Sequence, residues 1–235
     1  MKISIVIPAL NEENNLEAAV KGLVPLLEKE ESLKDYEILI FNDGSTDKTG
    51  EIADRLSQEN NRIKVIHNPR NMGLGYNFRK GAELATGDYV SWFPSDNENT
   101  PESFISTLKH AGEADVIIAY TSNMEVRPLK RRILSYTYTF INNLIFGLHL
   151  RYFNGLSVYR RDLLLKIPPW SNSFAYAVEI LVPLLKSGAS YIEVPVEIRP
   201  TTKTSALKLK RVLQVFEAIF LLFWRINIKR EIIQI

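Results

Sequence analysis

Short apolar segments alternate with longer amphipathic ones along the first half of the chain. The short segments are rich in β-branched and aromatic residues and predict five strands, at residues 3–7, 36–41, 63–67, 89–93 and 115–120. The segments between them have apolar residues three and four positions apart, which predicts helices. The first carries Leu16, Ala19, Val20, Leu23 and Leu27, and Asn11 is predicted to cap its start. This alternation is typical of an α/β fold, with a mostly parallel Rossmann-like sheet flanked by helices.

The second half of the chain follows a different pattern. It predicts a long helix at 128–150, a strand at 154–159, a helix at 174–187, a strand at 191–199 and a final helix at 207–230. The final helix has no polar side chain from 218 to 224 and is too short to span a bilayer alone. Its aromatic residues and basic flanks predict an amphipathic helix at a membrane surface. Burial of this helix in a subunit interface is the alternative.

Composition excludes several classes of function. The 235 residues suffice for one large domain, and the formal net charge of +2 argues against a nucleic-acid partner. The absence of cysteine excludes disulfides, thiolate catalysis and cysteine-based zinc sites. The three histidines have no metal-ligand spacing. Because no signal-peptide pattern and no apolar run of about 18 residues occurs, we expect a protein in the cytoplasm or peripheral on the cytoplasmic face of a membrane.

Polar side chains follow three of the predicted strands. Glu12 comes after the first strand, Asp43 after the second, and Asp96 with Glu98 after the fourth. In parallel sheets the carboxyl ends of the strands meet at one edge, where ligands bind. Carboxylates gathered there repel one another unless they receive hydrogen-bond donors or a cation. A nucleotide supplies donors through its base and ribose, and a divalent metal neutralises the remaining charge.

The turn after the fourth strand is the strongest candidate for binding chemistry. Asp96 and Glu98 are one residue apart, so both carboxylates can face one point. Such a pair can hold a hard cation beside a phosphate, and a solvated acidic turn is the alternative. Thr100 and Pro101 then predict the start of a helix.

Several motifs together resemble family 2 glycosyltransferases. They are Val6-Ile-Pro-Ala-Leu-Asn-Glu-Glu13, Phe41-Asn-Asp-Gly-Ser-Thr-Asp-Lys-Thr49, Asn71-Met-Gly-Leu-Gly75 and Ala85-Thr-Gly-Asp-Tyr89. Later segments look like the dolichol-phosphate mannose synthase branch: Leu129-Lys-Arg-Arg-Ile-Leu-Ser135, Asn154-Gly-Leu-Ser-Val-Tyr-Arg160 and Glu193-Val-Pro195. The resemblance implies a GT-A fold and an inverting enzyme that moves a hexose from a GDP- or UDP-sugar onto a polyprenyl phosphate.

The resemblance also implies roles for individual residues. Pro8, Leu10, Glu12 and Asp43 would border the nucleoside. Asp96 would bind a Mg²⁺ or Mn²⁺ ion and the diphosphate side of the donor, with Glu98 as a second ligand. Arg131 or Arg132 would contact the acceptor phosphate, and Arg199 the donor diphosphate. The segment Lys203-Thr-Ser205 would close over the donor.

The chain departs from the family pattern at three points. Pro94 stands where the first aspartate of the metal motif usually lies, and Glu98 where glutamine is usual. An arginine usually found just after the fifth strand is absent, with Thr121 in that region. The usual glycine of the closing loop is also missing.

These features lead to one functional hypothesis and two alternatives. We expect a glycosyltransferase domain at residues 1–205, with a nucleotide-binding half at 1–120 and an acceptor half at 121–205, followed by an interfacial helix at 206–235.

A phosphate acceptor needs no general base, whereas a hydroxyl acceptor would need one, and Glu179 or Glu98 is the candidate. The alternatives are a soluble glycosyltransferase acting on a saccharide and a non-catalytic sugar-nucleotide binder or scaffold. Each of these three hypotheses is compatible with an oligomeric protein.

Overall fold

The computed structural model describes residues 1–95, 98–168, 171, 175–200 and 209–231. Over these residues the strands are β1 (Lys2–Ala9), β2 (Asp35–Asn42), β3 (Ile63–His67), β4 (Tyr89–Trp92), β5 (Val116–Thr121), β6 (Val158–Arg160) and β7 (Tyr191–Val196). The α-helices are α1 (Leu16–Lys29), α2 (Thr49–Glu59), α3 (Leu74–Leu84), α4 (Pro101–Leu108), α5 (Leu129–Phe146), α6 (Arg161–Leu164), α7 (Tyr176–Lys186) and α8 (Leu209–Phe223). A 3₁₀ turn at Met124–Val126 precedes α5, and a π-helical segment at Trp224–Ile228 continues α8.

All of these strands belong to one mixed sheet, in the order β3-β2-β1-β4-β6-β5-β7. Strand β1 pairs in parallel with β2 on one side and with β4 on the other. Only β6 runs antiparallel to its neighbours, β4 and β5. The predicted α/β fold with a mostly parallel sheet is therefore confirmed.

Strand β6 is shorter than the predicted strand at 154–159, which is wrong over its first four residues. Gly155 passes so close to β5 that a Cβ atom there would lie 1.7 Å from the carbonyl oxygen of Ala119. This contact requires glycine and is not ladder pairing. Because β5 ends and β6 begins at the same edge of the sheet, residues 122–157 leave and re-enter the sheet at that edge.

Both faces of the sheet are buried. One face packs against α1, α2 and α4 through residues such as Ile5, Ile40 and Phe104. The other packs against α3, α5, α7 and α8 through residues such as Val6 and Phe78. Burial on both sides explains why the central strands read as continuous apolar runs in the sequence.

Helix α8 is part of this core. Its side chains at Ala218, Ile219 and Leu222 are buried, as is Ile226 in the π-helical segment, and the helix contacts α5 and α7. The predicted final helix is therefore present, with one face against the domain. No helix in the described part of the chain is long and apolar enough to cross a membrane.

The predicted helix start at Asn11 is wrong, whereas the one at Thr100 is confirmed. Helix α1 begins at Leu16, and Asn11 adopts a φ of 55°, a left-handed conformation that asparagine tolerates well. The Asn11 side chain instead accepts a hydrogen bond from the Thr46 backbone N–H at 2.9 Å. The Thr100 hydroxyl accepts from the Ser103 N–H at 3.0 Å, and Pro101 is the first helical residue of α4.

A buried carboxylate in β2 links three parts of the sheet. Glu37 accepts hydrogen bonds from the Ser4 hydroxyl, the Lys64 ammonium group and the Thr86 N–H at 2.7, 2.9 and 2.6 Å. Burial alone would raise the pKa of Glu37, but these donors outweigh it and lower the pKa from 4.5 to about 2.

We predict that Glu37→Gln lowers the free energy of unfolding at pH 7 by on the order of 2 kcal/mol. A depressed carboxylate pKa stabilises the fold above the unfolded pKa of 4.5, and this contribution is lost as the pH falls towards 2. Urea unfolding at pH 7 and pH 3 should therefore show the variant closer to wild type at pH 3. Glu51→Gln, on the exposed face of α2, is the matched control. Equal losses at both pH values would contradict this account.

Candidate active site

The carboxyl edge of the sheet gathers the ends of β1, β2 and β4. The Asp43 N–H donates to the Ala9 carbonyl at 2.8 Å, so the turn after β2 lies against the end of β1. The Ser95 hydroxyl donates to the Pro8 carbonyl at 3.1 Å, which ties the turn after β4 to the same strand. Leu10, just beyond β1, is exposed. The predicted nucleoside-side residues Pro8, Leu10 and Asp43 thus share one edge.

Glu12 lies in the loop that follows β1. Its N–H donates to the Thr49 hydroxyl at 2.8 Å, and its carboxylate accepts from the Asn15 side chain at 2.8 Å. These bonds hold the loop against the start of α2. Glu12 therefore belongs to the same edge as Asp43, as the order of strands predicts.

Asp43 is buried and orders the loop after β3. One carboxylate oxygen accepts from the Asn68 side chain and the Met72 N–H, both at 2.8 Å. The other accepts from the Gly73 N–H at 3.1 Å, where Gly73 has a φ of 92°. Asp43 thus fixes the backbone beside the predicted nucleoside site, and its own contact with a nucleoside stays a prediction. The sequence motif around Asn71 marks this loop, but nothing in it points to Asn68.

The acidic turn after β4 is only partly described. Asp96, the predicted metal ligand, lies outside the described residues. Glu98 follows it, and each of its carboxylate oxygens accepts from a different guanidinium group: Oε1 from Arg127 Nη2 at 2.8 Å and Oε2 from Arg131 Nη2 at 2.9 Å. The side chains of Glu98, Arg127 and Arg131 are 11, 7 and 20% exposed. This is a largely buried network of one anion and two cations.

Glu98 also links the turn to the segment after β7. Its carbonyl oxygen accepts from the Arg199 N–H at 2.8 Å, and the neighbouring Asn99 forms a bridge with Ile198. Arg199, predicted to contact the donor diphosphate, is therefore brought beside Glu98. The predicted acceptor-side Arg131 joins the same cluster through the carboxylate. The predicted closing segment, residues 203–205, lies outside the described residues.

Sequence reasoning missed Arg127. It precedes α5, is buried, and donates to the Tyr152 hydroxyl at 2.8 Å as well as to Glu98. The departure at Thr121 was a signal that could have found it, because Arg127 is the first arginine along the chain after the position where the family's arginine is expected. Only the fold shows that this arginine points towards Glu98.

Three buried guanidinium nitrogens have no hydrogen-bond partner among the described residues: Arg127 Nε, Arg131 Nη1 and Arg132 Nε. A buried donor without an acceptor is costly, and native proteins satisfy nearly all of them. The three donors belong to arginines at or just before the first turn of α5, and an anionic ligand would satisfy donors of this kind. The predicted acceptor residues Arg131 and Arg132 both belong to this set.

The described residues do not supply a set of metal ligands. They include no group of three or more histidine or carboxylate side chains that could hold an ion. Both oxygens of Glu98 accept from arginines, so binding a cation there would cost an ion pair. The role of Asp96 in metal binding stays a prediction.

Glu179 lies apart from this cluster on α7. Its carboxylate accepts from the Ser171 N–H and hydroxyl, and it lines a small cavity with Arg225 and Leu222 of the C-terminal helix. Burial raises the pKa of Glu179, and the hydrogen bonds from Ser171 offset part of that rise. No described contact joins it to Glu98 or its arginines. Its role as a candidate base stays a prediction.

A family model, Glycosyl transferase family 2, matches residues 4–167. The chain belongs to this family. The match contains most of β1 and all of β2 to β6, and it includes Glu12, Asp43 and Glu98. The predicted family is confirmed, whereas its dolichol-phosphate mannose synthase branch stays a prediction.

Curated relatives are longer than this chain. Glycosyltransferase AglD of Haloferax volcanii is 27% identical over 241 residues, which is 99% of this chain and 38% of that protein. The putative glycosyltransferase EpsH of Bacillus subtilis is 32% identical over 125 residues, or 52% of this chain and 35% of that protein. The chain therefore matches less than two fifths of the length of each of these relatives.

Solved structures share the fold of this family 2 domain. Glucosyl-3-phosphoglycerate synthase of Mycobacterium tuberculosis in complex with Mg²⁺ and UDP superposes with a TM-score of 0.70 at 17% identity. The superposition covers 94% of this chain and 79% of that one. A second complex of the same enzyme, with Mn²⁺, UDP and phosphoglyceric acid, gives a TM-score of 0.69 at 20% identity. The predicted GT-A type fold is confirmed.

We predict that Asp43→Asn loosens the loop after β3. An amide cannot accept at both positions, so its NH₂ group would face either Met72 N–H or Gly73 N–H. The expected loss of stability is about 1–3 kcal/mol, with faster hydrogen exchange at Met72 and Gly73. Glu51→Gln, on the exposed face of α2, is the control. Unchanged exchange at these two amides would show that the carboxylate does not order the loop.

Proposed function

We propose that this chain is an inverting glycosyltransferase that moves a hexose from a nucleoside-diphosphate sugar onto a polyprenyl phosphate. The observation that carries the proposal is the group of arginines with unpartnered buried donors beside the turn that follows β4. The Mycobacterium tuberculosis enzyme with the same fold binds UDP, which supports a nucleotide at the edge formed by Glu12 and Asp43. We extend this to a GDP- or UDP-sugar donor and to the polyprenyl-phosphate branch of the family.

The proposed reaction is one displacement at the anomeric carbon. An oxygen of the acceptor phosphate forms the new bond while the bond to the donor diphosphate breaks, and the configuration inverts. Arg131 and Arg132 would hold the acceptor phosphate, and Arg199 would stabilise the negative charge that builds on the leaving diphosphate. Because the acceptor is already anionic, no general base is required and positioning supplies much of the rate.

We also propose dependence on a divalent metal, which the same-fold complexes with Mg²⁺ and Mn²⁺ support. Asp96 is the ligand we propose; Glu98, our second predicted ligand, would have to release an arginine to join it. Bound there, the metal would neutralise charge on the diphosphate.

We predict that one nucleoside-diphosphate sugar raises the melting temperature in a panel of UDP-, GDP- and dTDP-sugars with Mg²⁺ or Mn²⁺. The stabilising donor should support transfer to a polyprenyl phosphate, and EDTA or Asp96→Asn should abolish the transfer. Glu102→Gln, on the exposed first turn of α4, is the control and should transfer normally. Nucleotide binding without any turnover would favour a non-catalytic sugar-nucleotide binder.

A saccharide acceptor is the second candidate, and the buried carboxylate of Glu179 is the observation that favours it. A hydroxyl acceptor requires a base, and a raised pKa suits that task. Glu179→Gln should then abolish transfer while donor binding persists. Retained transfer to a polyprenyl phosphate in this variant would support the base-free reaction.

We propose that α5 and α8 rest on an anionic membrane surface. On α5, one stripe of side chains is 56–73% exposed: Leu129, Ile133, Tyr136, Phe140 and Leu144. The C-terminal helix has a second stripe, 48–65% exposed: Phe216, Phe220, Leu221, Trp224 and Ile228. The helices touch, and exposed Lys130, Lys229 and Arg230 flank them. Apolar faces with basic flanks suit an interface rich in anionic lipid.

We predict that the wild-type protein floats with phosphatidylglycerol vesicles. The double variant Phe140→Ser with Phe220→Ser should bind them more than tenfold more weakly, because burying each phenylalanine side chain in the membrane contributes about 1.5–3 kcal/mol to binding. Point variants are preferable to deleting 206–235, which would strip Ala218 and Leu222 from the core. Leu84→Ser with Leu165→Ser, both 44% exposed, is the control. Unchanged flotation of the double variant would refute membrane docking. If wild type were a dimer and the double variant a monomer, the exposed face would instead bind a second copy of the chain.

A further inference from the structure

The Glu98 carboxylate occupies a position suited to a bound oxyanion. Its two oxygens lie 2.8 and 2.9 Å from guanidinium nitrogens of two different arginines, Arg127 and Arg131. Two guanidinium groups that converge on separate oxygens of one anion also form the usual arrangement for a phosphate group. A carboxylate supplies two oxygens to such a site, whereas a phosphate supplies at least three.

The carboxylate leaves the cluster incompletely satisfied. Among the described residues, the one negative charge of Glu98 faces the two positive charges of Arg127 and Arg131. In the same part of the molecule, two nitrogens of these arginines, Arg127 Nε and Arg131 Nη1, remain buried without acceptors. A phosphate carries up to two negative charges and more oxygens, so it suits these donors better than Glu98 does. The mismatch argues against a purely structural ion pair.

The same geometry argues against Glu98 as a metal ligand. A cation at this carboxylate would lie beside two guanidinium groups, which would repel it, and would have to displace at least one of them. The backbone of Glu98 is held independently, since its carbonyl accepts from the Arg199 N–H at 2.8 Å. The side chain can therefore leave the arginines without releasing the segment after β7.

We propose that Glu98 is an internal counter-ion that occupies an anion site formed by Arg127 and Arg131, and that the phosphate group of the acceptor displaces it. The proposal rests on the proposed function for the identity of the anion, a phosphate monoester. It gives Arg127, which no sequence motif indicates, a direct part in holding that group. Acceptor binding is then an exchange of one anion for another, and Glu98 sets its affinity.

The test is titration calorimetry at pH 8 with inorganic phosphate, a short-chain prenyl phosphate and Mn²⁺ as separate probes. Glu98→Gln removes the competing charge and keeps the side-chain shape, so both phosphate probes should bind about tenfold more tightly. Mn²⁺ binding should not change. Arg127→Lys should weaken phosphate binding, because lysine cannot reproduce the paired guanidinium contacts. Glu102→Gln carries the same change of charge four residues away and should leave all three titrations as in wild type.

Two results would overturn the proposal. Weaker Mn²⁺ binding in Glu98→Gln with unchanged phosphate binding would make Glu98 a metal ligand. Weaker or unchanged phosphate binding with a lower melting temperature would make it a structural ion pair. The titrations need no sugar transfer, so they can support the anion site even if the enzyme proves inactive. A working transferase in which Glu98→Gln does not tighten phosphate binding would contradict this inference and leave the proposed function intact.

Discussion

The parallel pairing of β1 with both β2 and β4 is the constraint on which the site depends. The register places Pro8 opposite Phe41 and Val6 opposite Trp92, so the three strands end at one edge. Burial on both faces leaves these strands little freedom to slip, because a shift by one residue would turn every side chain to the other layer. The polar turns that follow them must therefore meet. Asp43 and Ser95 then fasten the turns to the end of β1.

The two sides of the site are built in different ways. Around Asp43, backbone amides of a glycine-containing loop converge on one buried carboxylate, and the order is local to β1, β2 and β3. Around Glu98, residues of two distant segments meet: its carboxylate accepts from Arg127 and Arg131 at the start of α5, and its carbonyl oxygen accepts from the Arg199 N–H after β7. The second arrangement relies on charge and on long-range contacts. A single substitution there affects several segments at once.

The sequence predicted the elements well wherever periodicity was strong. Strand and helix order, the start of α4 at Thr100, and the position of Glu12 and Asp43 at one edge of the sheet all follow from local pattern and parallel topology. The errors lie where tertiary contacts override local preference. Asn11 bonds to a distant turn instead of capping α1, and Gly155 marks close passage over β5 instead of a strand.

The partners of the charged residues were beyond the reach of the sequence. Glu98 and Arg127 are 29 positions apart, and no spacing rule relates residues across a strand, a helix and a loop. Arg127 appears in the sequence only as one more basic residue before a helix. The C-terminal helix was correctly predicted as amphipathic, but its buried face could not be recognised as part of the core until its contacts with α5 and α7 were known.

The single antiparallel strand has a consequence for how this domain can diversify. Residues 122–157 leave β5 and enter β6 at one edge, so this excursion joins the sheet ladder only at its two ends, while α5 within it packs on one face of the sheet. Its solvent-facing positions can change while the register of β4, β5 and β7 is preserved. Arg127 and Arg131 lie inside it, and Glu12 and Asp43 lie outside it. Exchange of this one insert between related domains would alter the arginines that contact Glu98 without rebuilding the loops that hold Glu12 and Asp43.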